Sequence, residues 1–239
     1  MDSGERVLRR VVTGVGEPSV VLEAGMNNGA ASWQRVMPLL APHVHVTAYD
    51  RAGIGGSAPA PGVVSIDRQV DDLASVITGL EAGPCVLAGH SWGGILVQLL
   101  AFRRPDLVAG LVLVDPGHEE MGRGLPLALQ WGWRIMLTVH PDELHGDVAA
   151  SNAVLRELRT AAKPFPDVPV VVLSAARSFP LPRRFRADWT GLQAGLAAAA
   201  PQGRHVIVDG AGHNIPTQRP DVVADTILAV AAQARSTAP

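Results

Sequence analysis

Cysteine is almost absent: Cys85 is the one cysteine among 239 residues. No disulfide can close within the chain, and this usage fits a reducing compartment. Charge imbalance is also lacking. The 20 Lys and Arg against 22 Asp and Glu leave a formal net charge of -2 at pH 7, which favours neither nucleic acid nor an anionic membrane as a partner. No apolar run is long and unbroken enough to cross a bilayer as a helix. No hydrophobic region follows the charged start, Met1 to Arg10, so no signal peptide is expected. No internal repeat is present. These absences predict a soluble, cytoplasmic protein whose partner is a small molecule. Apolar material is plentiful: hydrophobic residues make up 47% of the chain and charged residues 18%. That supports a sizeable core and argues against disorder.

The length suits one α/β domain, residues 1–239. Strand-like segments alternate with helical ones. Val7 to Thr13, Ser19 to Glu23, His43 to Tyr49, Cys85 to Gly89, Gly110 to Val114, Val168 to Leu173 and His205 to Asp209 read as strands. Ser32 to Leu40 reads as a helix capped by Ser32. Ile66 to Leu80, Ser91 to Phe102, Leu192 to Ala200 and Asp221 to Ala234 read as further helices. Leu111-Val112-Leu113-Val114 and Val170-Val171-Val172-Leu173 are apolar throughout, as strands buried on both faces must be. The predicted fold is a mostly parallel twisted sheet with helices on both faces. Residues 117–166 interrupt the alternation and read as a short helical cap over the carboxyl end of the sheet. Arg183, Arg184 and Arg186 stand among prolines and read as a solvated loop.

Gly89-His90-Ser91-Trp92-Gly93 fits Gly-x-Ser-x-Gly between a strand and an apolar helix, the context that motif requires. A serine on a sharp strand-to-helix turn needs neighbours without side chains two residues before and two after. The turn lifts the hydroxyl above the sheet and aims a helix N-terminus at it. Ser91 is therefore the candidate nucleophile.

A serine hydroxyl needs a base, and the base needs an orienting acid. Among eight histidines, His213 follows the last strand in Gly210-Ala211-Gly212-His213-Asn214, a glycine-rich loop able to lean over the sheet end. It is the candidate base. His90 reads as packing behind the nucleophile. His140 and His145 are five apart across Pro141, so they do not make a helical zinc pair, and neither a metal site nor a cofactor is expected. The strand after the interruption runs into Ser174-Ala175-Ala176-Arg177-Ser178, which has no carboxylate. Asp115, at the tip of the strand before it, is the candidate acid, with Glu119 and Asp188 as alternatives. The Trp92 N–H and the Met26 N–H, in the loop Glu23 to Gly29, are the candidate oxyanion donors.

Over nearly its whole length the chain resembles the α/β-hydrolase superfamily, in its serine-hydrolase branch. The residues that carry the resemblance are Glu23-Ala24-Gly25, Tyr49-Asp50-Arg51-Ala52-Gly53-Ile54-Gly55-Gly56-Ser57, Gly89-His90-Ser91-Trp92-Gly93-Gly94, Leu113-Val114-Asp115-Pro116 and Gly212-His213. The resemblance implies the order Ser, acid, His along the chain. Two departures stand out. Ala24-Gly25 replaces the His-Gly common in the oxyanion loop, and the acid after the penultimate strand is missing. Certain thioesterases and dehalogenases place the acid after the earlier strand, which favours Asp115. Dehalogenases and epoxide hydrolases attack with an aspartate, so Ser91 argues against those activities.

Gly53-Ile54-Gly55-Gly56-Ser57 also looks like a dinucleotide fingerprint, but Pro59 and Pro61 stand where a phosphate-binding helix must begin. The expected function is hydrolysis of an ester or thioester of a small, largely apolar substrate through an acyl-enzyme. Asn27, Met121, Leu125, Trp131, Trp133 and Met136 are candidate pocket residues. A lyase, cyclase or acyltransferase using the same three residues is the alternative. The sequence leaves monomer and homodimer open.

Overall fold

A computed structural model describes residues 7–58, 64–120, 153–156, 165–177 and 183–237, by backbone alone over 183–187. Among the described residues, seven strands form one sheet: β1 (Arg10–Thr13), β2 (Val20–Glu23), β3 (Val46–Tyr49), β4 (Cys85–His90), β5 (Val108–Val114), β6 (Pro169–Ala175) and β7 (Gln202–Val208). Their spatial order is β1-β3-β2-β4-β5-β6-β7. Only the β1–β3 pair is antiparallel.

The apolar strands are buried on both faces because helices cover both. Successive side chains of a strand point to opposite faces. Val21, Leu87, Leu111, Leu113, Val170 and Val172 enter one core with α2 (Ile66–Thr78), α3 (Trp92–Arg103) and the end of α4 (Arg183–Ala198). Leu22, Val86, Ala88, Val112, Val114 and Leu173 enter the other with α1 (Met37–Leu40) and α6 (Pro220–Thr237). A short helix, α5 (Ile215–Gln218), precedes α6. Ser65 caps α2 by accepting the Arg68 N–H at 3.2 Å. Helix α3 is buried on every side from Trp92 to Ala101 and is apolar there except for Gln98, whose amide donates to the Gly94 carbonyl at 2.8 Å, as suits a helix at the centre of a domain.

Three local expectations are corrected. Residues 32–40 are not one helix: a 3-10 turn, Ala30–Trp33, is followed by the separate α1. Ser32 lies inside that turn and its hydroxyl donates to the Gly29 carbonyl at 2.8 Å instead of capping. Trp33, Val36, Met37 and Leu40 are nevertheless buried, so burial of that face prevails over regular helix geometry. Arg183, Arg184 and Arg186 lie in α4, not in a loop.

Most of the stretch read as a cap, residues 117–166, is outside the described residues, and so are Met121, Leu125, Trp131, Trp133 and Met136. Within it Arg156 Nη2 donates to the Glu119 carbonyl at 2.8 Å, and Phe165 packs at a tilt against Phe102 of α3, with ring centroids 4.8 Å apart. Among the described residues no helix is long and apolar enough to cross a membrane.

Candidate active site

Ser91 joins β4 to α3 with φ 53° and ψ -113°. Side chains other than glycine's rarely accept that backbone. The flanking glycines make it possible. A Cβ on Gly89 would fall 2.4 Å from the Gly93 carbonyl oxygen, and one on Gly93 would fall 2.4 Å from that of Glu23. The turn is pinned from the next strand and its loop. Ser91 N–H donates to the Val114 carbonyl at 3.1 Å, and the Ser91 carbonyl accepts the Gly117 N–H at 2.9 Å. Trp92 is buried, and its indole N–H donates to Gln69 Oε1 at 2.9 Å, tying the start of α3 to α2.

The loop after β7 brings His213 over this turn. His213 Nε2 lies 3.0 Å from Ser91 Oγ, and Nδ1 lies 2.6 Å from Asp115 Oδ2. A carboxylate only accepts, so this contact places the imidazole proton on Nδ1 and leaves the Nε2 lone pair facing the serine hydroxyl. Asp115 is buried at the end of β5. Its second oxygen, Oδ1, accepts the Ala175 N–H at 3.1 Å and the Trp189 indole N–H at 3.3 Å. The tip of β6 has no acid of its own; it supplies a backbone donor to the acid of its neighbour β5. Asp188 is exposed on α4, and Glu119 is buried beside His118.

His90 lies behind the turn. Its ring is 4.9 Å from that of His213, and its Nε2 donates to the His213 carbonyl at 2.8 Å. Burial, then the neighbouring His213, pushes its pKa down to about 4, so it is neutral near pH 7. Its Nδ1 faces the loop after β2, where a Cβ on Gly25 would meet it at 3.0 Å and Ser91 Cβ at 3.4 Å. That loop turns at Gly25–Asn28, closed by Asn28 N–H to the Gly25 carbonyl at 3.1 Å. Asn27 takes the third position with φ 54°, where asparagine is tolerated. Met26 is partly buried against the core.

Polar contacts beneath this loop were not anticipated. Arg51 and Glu23 are buried as an ion pair, Nη1 to Oε1 2.6 Å. Tyr49 donates to the other Glu23 oxygen. Asp50 organises the neighbouring turns by accepting the N–H groups of Ala30 at 2.8 Å and Gly56 at 3.0 Å and the Arg9 guanidinium at 2.9 Å. Burial raises its pKa, but these donors together outweigh burial and hold the carboxyl below its ordinary value. The glycine run Gly53 to Gly56 thus wraps a carboxylate. The signal for these residues was visible as polar side chains closing apolar strands, at Glu23 and at Tyr49-Asp50-Arg51. Trp189 had no such signal, since it reaches Asp115 from 74 positions away.

Known proteins are similar to this chain in sequence and in fold. The profile of the alpha/beta hydrolase family matches residues 20–226. The chain is 26% identical over 218 residues to the protein YqjL of Bacillus subtilis, covering 86% of this chain and 80% of YqjL. It is 38% identical over 101 residues to the lipase LipV of Mycobacterium tuberculosis, covering 42% of this chain and 38% of that lipase. A thermophilic esterase from Thermogutta terrifontis has a similar structure, with TM-score 0.70 and 22% identity, over 98% of this chain and 96% of that one. With the profile spanning residues 20–226, from β2 into α6, this chain belongs to the alpha/beta hydrolase family.

Proposed function

We propose that this protein is a serine hydrolase that cleaves an ester or thioester of a small, largely apolar substrate through an acyl-enzyme. The observation that carries the reading is the continuous contact from Ser91 Oγ through His213 to Asp115, at 3.0 and 2.6 Å. His213 Nε2 takes the hydroxyl proton as Ser91 Oγ attacks the substrate carbonyl. Asp115 holds the Nδ1–H tautomer and stabilises the imidazolium. The oxyanion receives the Trp92 N–H, at the start of α3, and the Met26 N–H from the turn against Ser91. The C–O or C–S bond to the leaving group breaks as His213 returns the proton to it. Water, deprotonated by His213, then releases the acid and frees Ser91. The lipase and esterase named above agree with this chemical class.

Treatment with a fluorophosphonate probe tests the reading. Covalent labelling of the parent and none of Ser91→Ala is expected, together with hydrolysis of p-nitrophenyl esters by the parent alone. A parent that takes no probe overturns the activated serine.

A further inference from the structure

A trans peptide holds its C=O and N–H antiparallel, so whatever grips the Gly25 carbonyl also aims the Met26 N–H. Two donors grip it. The Asn28 N–H closes the turn at 3.1 Å, and Arg51 Nη2 approaches from the loop after β3 at 2.7 Å. Arg51 Nη1 donates to the Ala24 carbonyl, one peptide earlier, at 2.7 Å and to Glu23 Oε1 at 2.6 Å. One planar guanidinium therefore holds two consecutive carbonyls and a carboxylate, a task suited to its rigid fork and not to an ammonium.

The assembly is buried and closed on its far side. Arg51 is 3% exposed and Glu23 1%. Burial, then the Glu23 carboxylate, pushes the Tyr49 phenol well above its ordinary pKa and keeps it a donor to Glu23. The loop cannot retreat toward the start of α3, because a Cβ on Gly93 would already meet the Glu23 and Ala24 carbonyl oxygens at 2.4 and 2.6 Å. On its other side it lies close to Ser91: a Cβ on Gly25 would meet the Ser91 Cβ at 3.4 Å. The segment is held between the Arg51 fork and the serine turn. A cation on the Gly25 carbonyl also polarises that peptide and strengthens its N–H as a donor.

We propose that Arg51, balanced by Glu23, is a positioning residue for the oxyanion site: it fixes the Ala24 and Gly25 carbonyls so that the Met26 N–H points at the acyl oxygen. This rests on the acyl-transfer reading above for its chemistry. Arg51 touches neither substrate nor nucleophile and acts through the backbone it holds.

The test uses Arg51→Lys and the double variant Glu23→Gln/Arg51→Met. The double variant removes both buried charges together and strands neither. Both are checked for parent-like circular dichroism and cooperative melting. With p-nitrophenyl butyrate, kcat is expected to fall about 10-fold in Arg51→Lys and about 100-fold in the double variant, with KM within about threefold, since losing a whole oxyanion donor costs about 10²–10³ in kcat. A trifluoromethyl ketone, whose adduct with serine carries an oxyanion, should lose affinity in parallel with kcat. A folded double variant with parent-like kcat, or a loss confined to KM, overturns the proposal. The Met26 amide peak in a 15N–1H spectrum provides a readout that needs no turnover. It should move in folded Arg51→Lys, and an unmoved peak overturns the proposal. A parent that takes no fluorophosphonate and cleaves no ester overturns the acyl-transfer reading alone, and the Met26 peak then still decides whether Arg51 sets that peptide.

Discussion

Asp115 meets His213 with one carboxylate oxygen, at 2.6 Å, and turns the other to the Ala175 N–H and the Trp189 indole. The acid is thus held from two further elements, β6 and α4, while it faces the loop after β7. Its backbone has φ 42°, a left-handed conformation that asparagine and aspartate accept more readily than most residues.

Asp115→Asn therefore keeps the backbone and the shape while removing the charge. By analogy with serine proteases, kcat on p-nitrophenyl esters should fall by about 10³–10⁴. Glu119→Gln and Asp188→Asn should each leave kcat within about twofold, because His213 Nδ1 already has its carboxylate. Equal turnover by Asp115→Asn and the parent would transfer the orienting role to another group.

Strain at Ser91 predicts a stability effect opposite to the loss of activity. The pair φ 53°, ψ -113° suits glycine. Ser91→Ala keeps the Cβ and the strain, whereas Ser91→Gly relieves it. Both variants should be inactive, but Ser91→Gly should be more stable than Ser91→Ala by about 1 kcal/mol, the lower end of what such backbone strain costs. Urea denaturation measures the difference, and equal midpoints would show that the turn stores no strain.

Much of this arrangement was legible because steric rules act locally. The glycines around Ser91 announce a sharp turn, and the apolar runs of β4, β5 and β6 announce a sheet covered on both sides. Asp115 could be singled out because the tip of β6 has no carboxylate and β5 ends on one. What escaped depends on contacts distant in sequence. Arg51 acts on residues 24 and 25, and Trp189 acts on Asp115, from a helix whose start is masked by prolines and arginines. Ser32 has the chemistry of a cap, yet the Gly29 carbonyl takes its hydroxyl and the chain there folds as two short turns. Such competition between local preference and tertiary contact lies outside what periodicity can register.

Two glycine-to-alanine changes should act in opposite directions. Gly93→Ala would drive a methyl group against the Glu23 and Ala24 carbonyl oxygens. Backbone atoms gripped by Arg51 have little room to yield, so a loss of about 2–3 kcal/mol is expected, with activity reduced as the loop moves. Gly191→Ala sits in α4, exposed, with nothing within 4 Å of the new carbon. It should stabilise by about 0.5–1 kcal/mol, the helical preference for alanine over glycine. Thermal melts of the two variants check both signs at once.

His90 predicts a specific loss of stability in acid. Its pKa is pushed from 6.5 down to about 4, first by burial and then by repulsion from His213; its bond to the His213 carbonyl opposes the shift but is outweighed. Above pH 6.5 the ring is neutral in folded and unfolded chains alike. As pH falls from about 6.5 to about 4 the unfolded chain binds a proton that the folded chain refuses, so stability is lost across that window and the loss levels off below it. The gap between the two pKa values corresponds to about 3 kcal/mol. His90→Gln retains a donor for the His213 carbonyl and removes the titration. His205, whose pKa is also lowered by burial, and the carboxylates are common to parent and variant and cancel in the comparison. Urea denaturation at pH 4, 5, 6 and 7 should therefore show the variant gaining about 3 kcal/mol on the parent between the ends of the series. Parallel pH profiles would mean that His90 is not the group whose protonation the folded state resists.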